Sequence, residues 1–138
     1  MPALSNASEI VAFADKITGY ANTLHDWLKS AIEAKKVDQS TAQNIFQDES
    51  LLRERANSLY LDAANCIVKN LQTTQDELLG VIDDANKSLA TIKDIGSAID
   101  LIADILVLVG AAYAAKPEPI VAAVKEVKAD LDALKKKK

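Results

Sequence analysis

The apolar residues of this chain recur at alternating steps of three and four, and that spacing leaves few folds open. From Ser8 to Lys35 they are Ile10, Phe13, Ile17, Tyr20, Leu24, Trp27, Ala31 and Ala34. A period of 3.5 is close to one helical turn and far from the period of two that a strand needs. It draws a narrow apolar seam along one side of a helix, as in coiled coils. With 4 glycines, 3 prolines and 4% aromatic residues, the composition also favours helix over strand and turn.

The same spacing predicts four helical segments. The first spans about 8–35, with Ser5 or Ser8 as its cap. Val37–Gln39 reads as a connection, and Ser40-Thr41-Ala42-Gln43 matches a capping box. The second segment, about 41–70, carries Ile45, Leu52, Ala56, Leu59, Ala63 and Cys66, while Phe46, Tyr60 and Ile67 widen its face. A break near Asn70 to Thr74 is preferred, because one helix from 41 to 115 would be about 110 Å long.

The third segment, about 75–115, continues the seam through Leu78, Ile82, Ala85, Leu89, Ile92, Gly96, Ile99, Ala103, Leu106, Gly110 and Tyr113. Pro117-Glu118-Pro119 ends it. The last helix, about 119–135, repeats Ile120, Val124, Val127, Leu131 and Leu134, and residues 135–138 form a basic tail. The expected fold is therefore all-α: an antiparallel helical bundle of three to four long heptad-patterned helices with coiled-coil-like packing, forming one domain over 1–138.

Charge and motifs narrow the function classes. The net charge is −4, and residues 71–134 hold five Lys against eleven Asp and Glu. No nucleic-acid partner is expected of such a body, since phosphate affinity needs clustered Lys and Arg. His25 is the only histidine and Cys66 the only cysteine. That excludes a His-based zinc site, a thiolate cluster and a disulfide framework. The dispersed glycines form no phosphate loop, and no serine nucleophile has an imidazole base other than His25. No catalytic residue, metal or cofactor is expected. MPALSNASE has neither a basic n-region nor an apolar h-region, so the expectation is a cytoplasmic setting without a cleaved leader. Export by a route that cleaves no signal is left open.

The unusual feature lies on the third segment. Its polar stripe, Lys93, Ser97, Asp100 and Asp104, stops there, and ILVLVGAAYAA from Ile105 to Ala115 is apolar all round. Such a helix is covered on every side by protein or lipid. The column Gly96, Ala103 and Gly110 is small at each seven-residue step, which lets another backbone approach closely. The expected contact region is Gly96, Ala103, Leu106, Val109, Gly110 and Tyr113, used for self-association or for a partner protein, in a homo-oligomer or a larger assembly.

The competing expectation is a membrane tip formed by Ile105, Leu106, Val107, Leu108, Val109, Ile120 and Val121. In pattern this hairpin resembles the hydrophobic hairpins of helical pore-forming toxins, though no motif is shared. The resemblance implies insertion after a conformational change. Asp100 and Asp104 oppose a permanent span, since each costs about 2.5–3.5 kcal/mol near a bilayer centre.

Overall fold

In a computed structural model, which describes residues 2–136, the chain forms five α-helices. They are α1 (Ala7–Glu33), α2 (Gln39–Leu61), α3 (Gln75–Thr91), α4 (Ile95–Tyr113) and α5 (Pro117–Lys136). A short 3-10 turn, Ala63–Cys66, follows α2. Lys137 and Lys138 of the basic run lie outside the described residues.

The helix starts follow local chemistry. Asn6, rather than Ser5 or Ser8, caps α1: its side-chain oxygen accepts from the Glu9 N–H at 2.9 Å. Ser5 N–H and Oγ in turn donate to the Glu9 carboxylate at 2.8 and 2.6 Å. Asp38, two residues before the expected cap, takes the Thr41 N–H at 2.7 Å. Thr74 caps α3 by accepting from Glu77 N–H at 3.1 Å. Helix α5 starts at Pro117 instead of Pro119, and both prolines fall in its first turn, where no amide hydrogen is needed.

Two helix ends close with left-handed residues. Lys35 has φ 58° and Ala115 has φ 57°. After α1, Lys35 N–H donates to Ile32 O and Lys36 N–H to Ala31 O. After α4, Ala115 N–H donates to Ala112 O and Lys116 N–H to Ala111 O. These paired bonds cap the last carbonyls. A Cβ in this conformation costs about 1–2 kcal/mol, which glycine avoids. Lys35→Gly is therefore expected to raise stability by about 0.5–1 kcal/mol after the larger unfolded-state entropy of glycine is subtracted. A thermal midpoint below that of the parent chain would contradict this.

Side-chain contacts give the directions of the helices. Pairs between α1 and α2 run in opposite sense: Asp15 with Tyr60, Asn22 with Arg53, His25 with Glu49. Pairs between α1 and α3 rise together: Glu9 with Gln75, Lys16 with Asp83, Trp27 with Ile92. Helix α1 packs on α2 and α3, α4 on α2 and α5, and α3 on α5. The seam residues Ile10, Phe13, Ile17, Tyr20 and Leu24 are completely buried, as are Leu78, Ile82, Ala85 and Leu89 of α3.

Two segments depart from the sequence reading. Helix α2 ends at Leu61, not near residue 70. The chain then runs back beside the N-terminus, where Val68 N–H donates to Leu4 O at 2.9 Å and Ala3 N–H to Thr73 O at 2.8 Å. Ala3, Leu4, Cys66, Val68 and Leu71 are buried there. Apolar spacing continues through Ala63 and Cys66 because they enter this packed loop, not because the helix persists.

The third predicted segment is likewise two helices, which raises the helix count from the expected three or four to five. Its break falls at Ile92–Asp94. Ile92 is extended, with ψ 131°, and its carbonyl accepts the Trp27 indole N–H at 2.9 Å. Asp94 becomes the N-cap of α4, and Ser97 Oγ donates to its carboxylate at 2.6 Å. Thr91 and Ile92 are β-branched and hold helix weakly, and the turn falls where the Trp27 indole of α1 meets the Ile92 carbonyl.

Candidate interaction surface

The break at 92–94 resets the phase of the helix that follows. Helix α4 buries Ala98, Leu101, Ile102, Ile105, Leu108, Val109 and Ala112. That set is offset from the seam projected through α3. The projected seam residues Gly96, Ile99 and Ala103 consequently face outward, and Gly110 is half-buried. At 100° per residue, Gly96, Ile99, Asp100, Ala103, Leu106, Val107, Gly110 and Ala114 share an arc of about 120°. Asp100 is the only charge in it. Val107 is 59% exposed and Ile99 39%.

The expected contact residues thus divide. Gly96 and Ala103 are exposed, Leu106, Gly110 and Tyr113 half-buried, and Val109 is sealed in the core. The tip residues divide as well. Ile105, Leu108, Val109 and Ile120 are core, Leu106 and Val121 are half-buried, and Val107 alone stands out.

A Cβ built on Gly110 would meet no atom within 4 Å, and one on Gly96 only the Asp94 carboxylate at 3.8 Å. Packing within the chain therefore does not require glycine at either place. Gly19 and Gly80 are equally open, so openness alone does not single out α4. Its apolar character does.

The two flanks of this face differ. Toward α2, the half-buried Tyr113 lies 5.6 Å below the Arg55 guanidinium and donates to Asp62 at 3.4 Å. Toward α5, Asp104 is close enough to Asp130 for the two carboxyls to interact. Burial first, and then the Asp104, Asp100 and Glu126 carboxyls, push the Asp130 carboxyl up to about 7. One Asp130 oxygen is buried with no hydrogen-bond partner among the described residues, and so is the Tyr20 hydroxyl. Burial, and after it Asp130, raises the Tyr20 phenol well above its ordinary value.

Elsewhere, His25 Nδ1 lies 3.1 Å from Glu49, a buried carboxylate that also takes the Arg53 Nε–H at 3.0 Å. This cluster ties α1 to α2. Burial, and then Asp62, raises the Cys66 thiol above its usual value, which disfavours the reactive thiolate. Among the described residues, no group of three or more His, Cys, Asp and Glu is placed to hold a metal ion.

No family model, curated protein or solved structure matches this chain.

One surface escaped the sequence reading. At the α1–α2 connection an open apolar groove of about 860 Å³ is lined by Leu28, Ile32, Val37, Ala42 and Phe46, among others. Phe46 is 55% exposed and Ile32 49%. Each follows a seam residue by one position (Ile45 and Ala31), and that offset was the available signal.

Proposed function

We propose that this chain is a non-catalytic docking protein, whose helices pack as an antiparallel, coiled-coil-like bundle to hold α4 at the surface. The outward face of α4 receives a helix of another chain, either a second copy or a different protein. The observation that carries this reading is the exposure of Ile99 and Val107 between small residues, with one charge in the whole arc. A flat apolar strip of this kind on a lone chain invites association, and small residues allow the close helix approach that makes a contact firm.

Gly110→Leu tests the self-association form. The open space at Gly110 lets the leucine fit the single chain, and helix propensity rises by about 0.5–1 kcal/mol. The variant is therefore expected to fold at least as stably, while any oligomer of the parent chain dissociates in sedimentation. A variant that keeps the parent oligomer, or a parent that is monomeric throughout, sinks self-association.

A membrane reading has one observation in its favour: α4 is long and apolar enough to cross a bilayer, by length and composition. Core helices of soluble proteins meet the same criterion. Flotation with liposomes at neutral and mildly acidic pH separates the two readings. Recovery with the lipid would favour insertion of the α4–α5 hairpin over docking.

A further inference from the structure

We infer that the α4 face is built for a helix of a different protein, one with an apolar stripe edged by lysine or arginine. The inference rests on the docking reading above and adds the chemistry of the partner. It starts from the edge of the strip: at 100° per residue Asp100 and Asp104 follow one another along one side of α4, which packs on α5, the helix that carries Glu126 and Asp130. Ion pairs among the described residues include Lys16 with Asp83, Arg53 with Glu49, and Lys128 with Glu77. None of them reaches this rim. Lys128, the cation of α5 that is paired, is spent on α3. The rim is thus an acidic edge along an apolar strip, and its complement is a cationic edge along an apolar stripe.

A second copy supplies that complement poorly. Asp104 is the middle residue of the 19-residue α4. Antiparallel pairing of two α4 faces about a two-fold axis would set Asp104 against Asp104. Parallel pairing would lay the rim over the α2 flank, where Arg55 over Tyr113 is offset by Asp62, which accepts from the same tyrosine. Neither arrangement neutralises the carboxylates. An anionic lipid surface would be repelled by them. A basic amphipathic helix satisfies both parts of the surface at once.

The test uses the full chain and two designed helical peptides with one shared apolar stripe. One carries lysine along its edges and the other glutamate. Binding is read by fluorescence anisotropy of the labelled peptide. The lysine peptide is expected to bind about tenfold more tightly, the size of two moderately exposed ion pairs, and added salt should narrow the gap. The double variant Asp100→Asn, Asp104→Asn should lose most of that preference. Val107→Glu should abolish binding of both peptides.

Because the chain is acidic overall, with a net charge of −4, a control removes two carboxylates on α1, Asp26→Asn with Glu33→Gln. It is expected to leave the preference intact. Equal binding of the two peptides, or an equal loss in the control, overturns the cationic partner while leaving helix docking standing. If neither peptide binds the parent chain, the inference fails, and sedimentation of the parent and Gly110→Leu chains then decides docking separately.

Discussion

Replacing Trp27 with alanine is expected to destabilise the protein by about 3–5 kcal/mol, the range for deleting a large buried aromatic side chain. Trp27 is at the edge of the core, 9% exposed, and its ring packs in the cluster that α1 shares with its neighbours. Its indole N–H also holds the Ile92 carbonyl at the turn between α3 and α4. Trp27→Phe separates the two roles. It keeps much of the apolar ring but removes the donor, and is expected to cost about 1–3 kcal/mol. Urea unfolding followed by circular dichroism measures both, since Trp27 is the only tryptophan and fluorescence would vanish with it. A loss below about 1 kcal/mol for Trp27→Ala would show that the turn at 92–94 stands without this bond.

The second large effect concerns pH. Asp130 is raised from 3.8 to about 7 in the folded chain, first by burial and then by Asp104, Asp100 and Glu126. Between these two values the folded state holds a proton that the unfolded state has released. Stability from this group is therefore fully present below about pH 4, falls as pH rises toward 7 and levels off above it. Asp38 is shifted down by its Thr41 hydrogen bonds, so it acts in the opposite sense, below its ordinary value and outside this window. Asp130 is partly exposed, and solvent screening reduces the effect to about 1 kcal/mol, or about 4 °C in the melting midpoint. Asp130→Asn is expected to flatten the fall between pH 4 and 8 and to melt higher than the parent at pH 8. The neutral amide can donate to Asp104 where a carboxylate repels it. Parallel melting profiles for the two proteins would remove Asp130 as the source.

The body of helix α1 was legible, since its seam from Ile10 to Ala31 is buried as one face, whereas its cap, Asn6, and the exposed end at Ala34 were not. Helix α3 was legible for the same reason as far as Leu89. The stretch from Ile95 onward was not. A helix in which most positions are apolar or small offers a three-and-four spacing in every phase, and the projected seam ran across a turn it could not register. The Ile92 carbonyl at that turn accepts from Trp27, 65 positions away in sequence, a contact beyond the reach of local pattern. The same limit hid the end of α2. Ala63 and Cys66 extend the heptad, yet the N-terminal residues Ala3 and Leu4 occupy the space beside them. At the interaction surface, the small-residue column was visible in sequence, whereas the acidic flank was not. Asp104 and Asp130 come together only when α4 and α5 fold against each other.

The odd number of alternating helices has a consequence for how the molecule can be used. Helix α1 begins at the pole where α3 begins, beside Gln75. Helix α5 ends near Ser88 and Asp94, at the opposite pole. Cargo attached at residues 2 and 136 would be separated by roughly the length of α5, about 30 Å. The scaffold is thus a strut rather than a clip. A rearranged chain that joined these positions directly would need a linker long enough to run the height of the bundle.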